Sequence, residues 1–148
     1  MKARGTTRSA REIGERPAER GAAAGTRVFV YGTLLSGERN HHLLERARLV
    51  GEARTEPLFS LYDLGPFPGL VPRGSQMVAG EVYEVDEPTL AALDRLEAHP
   101  DFYRRVSVSV DDGTSAQAYL LTIEQVRGRP IIASGNWRTR HEGRWPPR

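Results

Sequence analysis

The chain predicts an α+β fold, a small curved mixed β-sheet or partly open β-barrel carrying two short helices. Three observations lead there. Six or so apolar runs of strand length are joined mostly by hairpin-length connections. Several of these runs alternate apolar and polar residues, as strands with one solvated face do. Only two segments carry apolar residues at helical spacing.

Residues 27–31 read as a buried strand that Gly32 ends. Asn40 fits the cap of a short helix with apolar positions Leu43, Leu44, Ala47 and Val50. From 49 to 64 the pattern is extended, with Leu58, Phe59, Leu61, Tyr62 and Leu64 partly alternating. Gly65-Pro66-Phe67-Pro68-Gly69 is then a rigid loop, since each proline fixes its own φ and biases the preceding residue towards extended geometry. Leu70-Val71-Pro72 reads as a short strand or edge segment, because proline cannot donate to a ladder, and Arg73-Gly74-Ser75-Gln76 as a turn.

Residues 77–85 form a strand with Val78, Gly80 and Val82 on one face and Glu81, Tyr83 and Glu84 outside. Asp86 caps a helix over 87–98, with an acidic first turn, an early proline and a stripe of Leu90, Leu93 and Leu96. Residues 103–110 alternate Val106, Val108 and Val110 with Arg105, Ser107 and Ser109. Asp111-Asp112-Gly113-Thr114 turns that strand into a last one over 116–121.

At 148 residues this is one domain, long enough to bury a core. No run approaches the roughly 18 apolar residues of a membrane span, so no membrane partner is expected. The absence of cysteine removes disulfides, thiolate chemistry and cysteine-ligated zinc. The net charge of +2 conceals an asymmetry. Residues 1–26 carry six Lys+Arg against three Glu, and 127–148 six Arg against one Glu, whereas 27–126 hold nine basic and fifteen acidic residues.

A basic end can meet nucleic acid. Here no aromatic residue is interleaved with arginine before Phe29, and no recognition module follows, so solvated tails are expected and no nucleic-acid partner. Residues 1–26, with Ile13 as their one large aliphatic, are expected to form a disordered basic tail. They have neither the apolar segment of a signal peptide nor the acid-poor composition of a transit peptide, which makes the cytoplasm the expected compartment. Residues 27–126 are the expected folded domain. Residues 127–148 are an Arg-rich extension that docks in part, with Trp137 and Trp145 as candidates for the contact.

Two segments carry the chemistry. Glu97 lies four residues after Leu93 at the end of the predicted helix, beside its buried stripe. The partial negative charge of a helix C-terminus and partial burial both raise a carboxyl pKa towards the range of a general base. The same spacing also fits a surface residue paired with Arg95 or Arg104. Tyr31-Gly32-Thr33-Leu34 is a strand end followed by glycine and two further N–H donors, a pattern that makes an anion-binding concavity or simply a tight turn. His41 and His42 are adjacent and so point apart on a helix, with His99 and His141 remote, and no metal site is expected. Ser36, Ser60, Ser75 and Ser134 lack the G-x-S-x-G context of a serine hydrolase.

Four elements stand in order: VFVYGTL at 28–34, a Gly-Pro-x-Pro-Gly loop at 65–69, GEVYEVD at 80–86 and LDRLEAHPDFYRR at 93–105. Together they resemble the gamma-glutamylcyclotransferase-like family over about 27–122, with an echo in IIASGNW at 131–137. That family includes gamma-glutamylamine cyclotransferases and a cyclotransferase of aminoglycoside biosynthesis. The resemblance implies Glu97 as catalytic general acid and base, and Tyr31, Gly32, Thr33 and Leu34 as the substrate loop. It further implies Tyr103 as an aromatic neighbour, Tyr119 in the site wall, and the 65–69 loop, with Pro66 and Phe67, on the opposite lip.

The reaction so implied turns a γ-glutamyl amine, amide or peptide into 5-oxoproline and a free amine, without metal or cofactor. The expected partner is a small γ-glutamyl molecule. Two other readings share the fold. One is deprotection of a γ-glutamylated biosynthetic intermediate, free or carrier-bound, and the other is a binding protein without turnover. The oligomeric state stays open.

Overall fold

A computed structural model of the chain describes residues 25–142. Its seven strands are β1 (Thr26–Val30), β2 (Arg48–Arg54), β3 (Phe59–Asp63), β4 (Pro68–Gln76), β5 (Ala79–Val85), β6 (Arg104–Ser109) and β7 (Ser115–Leu120), with one helix, α1 (Glu87–Leu96), between β5 and β6. They form one mixed sheet in the order β2-β5-β1-β7-β4-β3, with β6 also on β7. The pairs β1–β7 and β4–β7 are parallel, and the other pairs are antiparallel. A bridge from Thr55 to Val110 links the β2 end to the β6 end, so the sheet curls without closing.

The branching at β7 positions the site. β6 runs along one edge of β7 for its whole length, from Arg104 opposite Leu120 to Ser109 opposite Ser115. Both parallel partners must therefore share the other edge. β1 takes it at Gln117 and β4 at Leu120. Where β1 stops and β4 begins, the sheet splits, and the chain segment after Val30 enters that gap.

The core is one cluster that includes Phe29, Leu35, Leu61, Leu70, Leu93 and Ile132. Leu93 alone, fully buried from α1, is worth roughly 1.5–3 kcal/mol relative to exposure. Asp86 caps α1 by accepting the Thr89 N–H at 2.9 Å. Ile132 and Trp137 of the C-terminal segment are buried, and Ile131 bridges to Tyr62. Trp145 and the amino-terminal tail through residue 24 lie outside the described residues.

The structure corrects several local expectations. The helix expected after Asn40 is a 3-10 turn, His41–Leu44, and Val50 belongs to β2. Asn40 caps nothing with its side chain. Its amide donates instead to Thr33 Oγ1 at 2.9 Å. The turn expected at 73–76 is the continuation of β4, and a register shift between Phe59 and Ser60 absorbs the extra residues. Gly74 makes that possible with φ +149° and with Ser60 Oγ where a Cβ would stand. The helix over 87–98 ends at Leu96, and Ala98 adopts a left-handed φ of 54°. Glu81 and Tyr83, expected outside, are buried, because the 31–44 segment and Arg138 cover the second face of β5.

Candidate active site

At the split in the sheet lies a small cleft of about 30 Å³, whose walls include Tyr31, Gly32, Thr33, Leu34, Phe67, Tyr103, Tyr119 and Glu97. Of the residues expected at the site, all but Pro66 line it. A hydrogen bond from Leu64 N–H to Phe67 O closes the turn between β3 and β4, and Pro66, exposed at its apex, is held away. Pro68 lines the cleft instead.

Glu97 arrives as the C-cap of α1, its N–H bonded to Leu93 O at 2.9 Å and its carbonyl accepting Tyr103 N–H at 3.3 Å. The left-handed Ala98 then turns the chain away from the helix axis, so that Glu97 and Tyr103 flank one opening. Among the described residues nothing donates a hydrogen bond to the Glu97 carboxylate, and neither Arg95 nor Arg104 forms an ion pair with it. Burial alone raises its pKa from the ordinary 4.5 to about 7. A carboxyl so poised is half ionised near neutrality and can both take and return a proton.

The opposite wall is the loop after β1. Gly32 is required sterically, since a Cβ there would stand 2.6 Å from Pro68 Cγ. The loop carbonyls are occupied. Gly32 O accepts from Leu35 N–H, Thr33 O from Asn40 N–H, and Leu34 O from His41 Nδ1 at 2.9 Å. Among the described residues no group accepts from the N–H groups of Gly32, Thr33 or Leu34. The loop thus brings three unclaimed donors to the cleft, an arrangement suited to an anion.

Three tyrosines tie the walls together. Tyr31 donates to Tyr119 O at 2.6 Å and accepts from Leu70 N–H at 3.1 Å, which pins the two sides of the sheet split. Tyr103 donates to Pro68 O at 2.5 Å. Tyr119 donates to Asp94 Oδ1 at 2.6 Å, and Arg105 holds the same carboxylate through two nitrogens at 2.9 and 3.2 Å. Burial would raise the Asp94 carboxyl, but the donors Arg105 and Tyr119 outweigh it and hold it below the usual range. Burial, with Glu97 nearby, pushes the Tyr103 hydroxyl well above its ordinary value, so it stays protonated. Phe67 packs edge-on against Tyr103 and Phe102, at 6.1 and 6.0 Å between ring centres.

Pro68 lies in the 65–69 loop expected on the opposite lip, whereas sequence reading missed the Asp94–Arg105 pair behind Tyr119. Asp94 and Arg105 stand inside the motif at 93–105, but nothing in its spacing shows that strand β6 returns Arg105 to the helix. No group of three or more His, Asp or Glu residues placed to hold a metal ion occurs among the described residues.

The model of the family described as gamma-glutamyl cyclotransferase, AIG2-like, matches residues 28–139. A Vibrio cholerae protein named "Putative gamma-glutamylcyclotransferase" is 51 % identical over 110 residues, covering 74 % of this chain and 93 % of the relative. The gamma-glutamylcyclotransferase family protein YtfP of Escherichia coli K12 is 40 % identical over 111 residues, 75 % of this chain and 95 % of its own. A solution structure of E. coli ytfP aligns with a TM-score of 0.61 at 39 % identity, over 78 % of this chain and 98 % of that one. A crystal structure of an AIG2-like protein from Mus musculus gives 0.61 at 32 % identity, over 66 % of this chain and 78 % of that one. Fold and sequence agree, and the chain belongs to the AIG2-like gamma-glutamyl cyclotransferase family.

Proposed function

We propose that the protein is a cofactor-independent cyclotransferase that converts a small γ-glutamyl amine, amide or peptide to 5-oxoproline and a free amine. One observation carries this reading: a carboxyl with no hydrogen-bond donor and a pKa near 7 shares a small cleft with three unclaimed backbone N–H groups. Glu97 is the base. It takes a proton from the substrate α-amino group, and the freed amine attacks the γ-carbonyl of the same molecule. A new C–N bond closes the five-membered ring, and the old amide C–N bond breaks. The departing amine takes up both the proton Glu97 returns and the second proton shed by the ring nitrogen, leaving as an ammonium.

The Gly32–Leu34 donors hold the α-carboxylate or the developing oxyanion. Nucleophile and electrophile belong to one molecule, so much of the acceleration comes from holding it folded on itself. The three tied tyrosines supply a rigid wall for that purpose.

The test is incubation of the protein and of Glu97→Gln with a panel of γ-glutamyl amines and dipeptides, followed by mass spectrometry of 5-oxoproline. Product from the unaltered protein alone supports the reading. Equal product from both removes Glu97 from the mechanism, and none from either leaves a binding protein or a larger substrate.

A further inference from the structure

Glu81 is a carboxylate at a place where packing alone asks for none. It lies within β5, opposite Val30 of β1 and Glu52 of β2, and is 6 % exposed. Its two oxygens collect four donors. Ser36 N–H at 2.9 Å and Tyr83 OH at 3.0 Å reach Oε1; the Ser36 hydroxyl at 2.9 Å and Arg138 at 3.4 Å reach Oε2. The same Arg138 nitrogen also donates to the carbonyl and hydroxyl oxygens of Ser36. One residue is therefore gripped through its N–H, its hydroxyl and its carbonyl by two side chains distant in sequence.

Ser36 stands two residues after Leu34, at the end of the donor loop. The C-terminal segment brings Arg138 to it. Trp137 is buried there and its indole donates to Glu38 Oε1 at 3.3 Å, while Asn136 accepts the Arg138 N–H at 3.0 Å. A buried charge is costly, and an ion pair is weak evidence for stability. What this one visibly does is fix one end of a loop whose other end Asn40 and His41 fix.

We propose that Glu81, with Arg138, is a positioning residue: through Ser36 it sets where the Gly32–Leu34 N–H groups stand in the cleft, without touching substrate. The proposal rests on that loop being the anion-binding wall described above. Backbone donors act only where they are held in advance, and a displacement of about 1 Å at such a site costs on the order of 100-fold in rate.

Two variants test it. Glu81→Gln keeps the volume but turns one acceptor oxygen into an NH2 group that meets donors. Arg138→Ala removes a side chain that is 38 % exposed, and it carries the test if the first variant fails to fold. Arg48→Ala, which breaks the exposed pair with Glu84, is the control. Kinetics with γ-glutamyl methylamide and 15N amide spectra are recorded for all three.

The expected result is at least a tenfold loss of kcat/KM in the two test variants, with shifted Gly32, Thr33 and Leu34 amide resonances and no change in the control. Unmoved Gly32–Leu34 amides alongside a lower Tm reduce Glu81 to a stability element and overturn the proposal. Moved amides with full activity overturn it too. If the unaltered protein turns over no γ-glutamyl compound, the functional reading fails by itself, and the amide shifts still decide whether Glu81 sets the loop.

Discussion

Glu97 and Glu81 are both carboxylates withdrawn from water, and their surroundings drive them in opposite directions. Glu97 meets no donor, so burial alone sets its pKa and raises it to about 7. At Glu81 burial pulls the same way, but the Ser36 N–H and hydroxyl, Tyr83 and Arg138 outweigh it and hold the carboxyl below the ordinary 4.5. One is an acid whose proton can move at neutral pH. The other is a fixed anion that organises a loop. The difference lies in the donors each meets, since the two side chains are chemically identical.

The largest effect expected from disturbing this contrast is on turnover. Glu97→Gln is nearly isosteric and cannot accept the proton, so kcat should fall by about 10²–10⁴-fold with circular dichroism unchanged. Activity above half of normal in that variant would break the mechanism.

Stability should move the other way. The raised pKa of Glu97 means the folded state resists its ionisation, a penalty that begins above pH 4.5 and is complete above pH 7. Glu97→Gln should therefore stabilise the protein at pH 8, by up to about 3 kcal/mol, and do nothing at pH 4. For Glu81 the sign reverses. Its depressed pKa contributes stability that is present above pH 4.5 and lost as pH falls through the lower folded value. Glu81→Gln should lower Tm at pH 7 and lose that deficit in acid, which thermal melts across pH will read.

Two smaller changes address the cleft walls. Gly32→Ala places a methyl 2.6 Å from Pro68 Cγ, so one wall must shift, at a cost of roughly 1–3 kcal/mol in denaturant melts. An unchanged midpoint would show that the two walls are not packed as described. Tyr103→Phe leaves the Pro68 carbonyl without its donor and should cost about 1 kcal/mol in the same assay.

The comparison also shows what a sequence makes legible. Spacing alone left Glu97 either beside the buried stripe or on the surface with Arg95 or Arg104, and only the local motif at 93–105, with Tyr103 inside it, pointed towards a shared site. β1, β5, β6, β7 and α1 were legible because alternation, a helical stripe and an Asp cap act over a few residues. Glu81 was not. Alternation in β5 correctly sets Val82 inside, but it assigns the other face to solvent. That face is covered by segments 45 and 57 residues away, which carry Ser36 and Arg138, and no periodicity records such a contact. The extension of β4 through Arg73–Gln76 was hidden likewise, because a glycine read as a turn serves there to admit Ser60 Oγ.

The most direct measurement is a 13C NMR titration of the glutamate side-chain carboxyls, with Glu97→Gln and Glu81→Gln spectra assigning the two resonances. The expected result is a Glu97 midpoint near 7 and a Glu81 midpoint below 4.5 in the same sample. A Glu97 midpoint at 4.5 would contradict it, because that carboxyl would then be an ordinary solvated group with no proton to exchange at neutral pH.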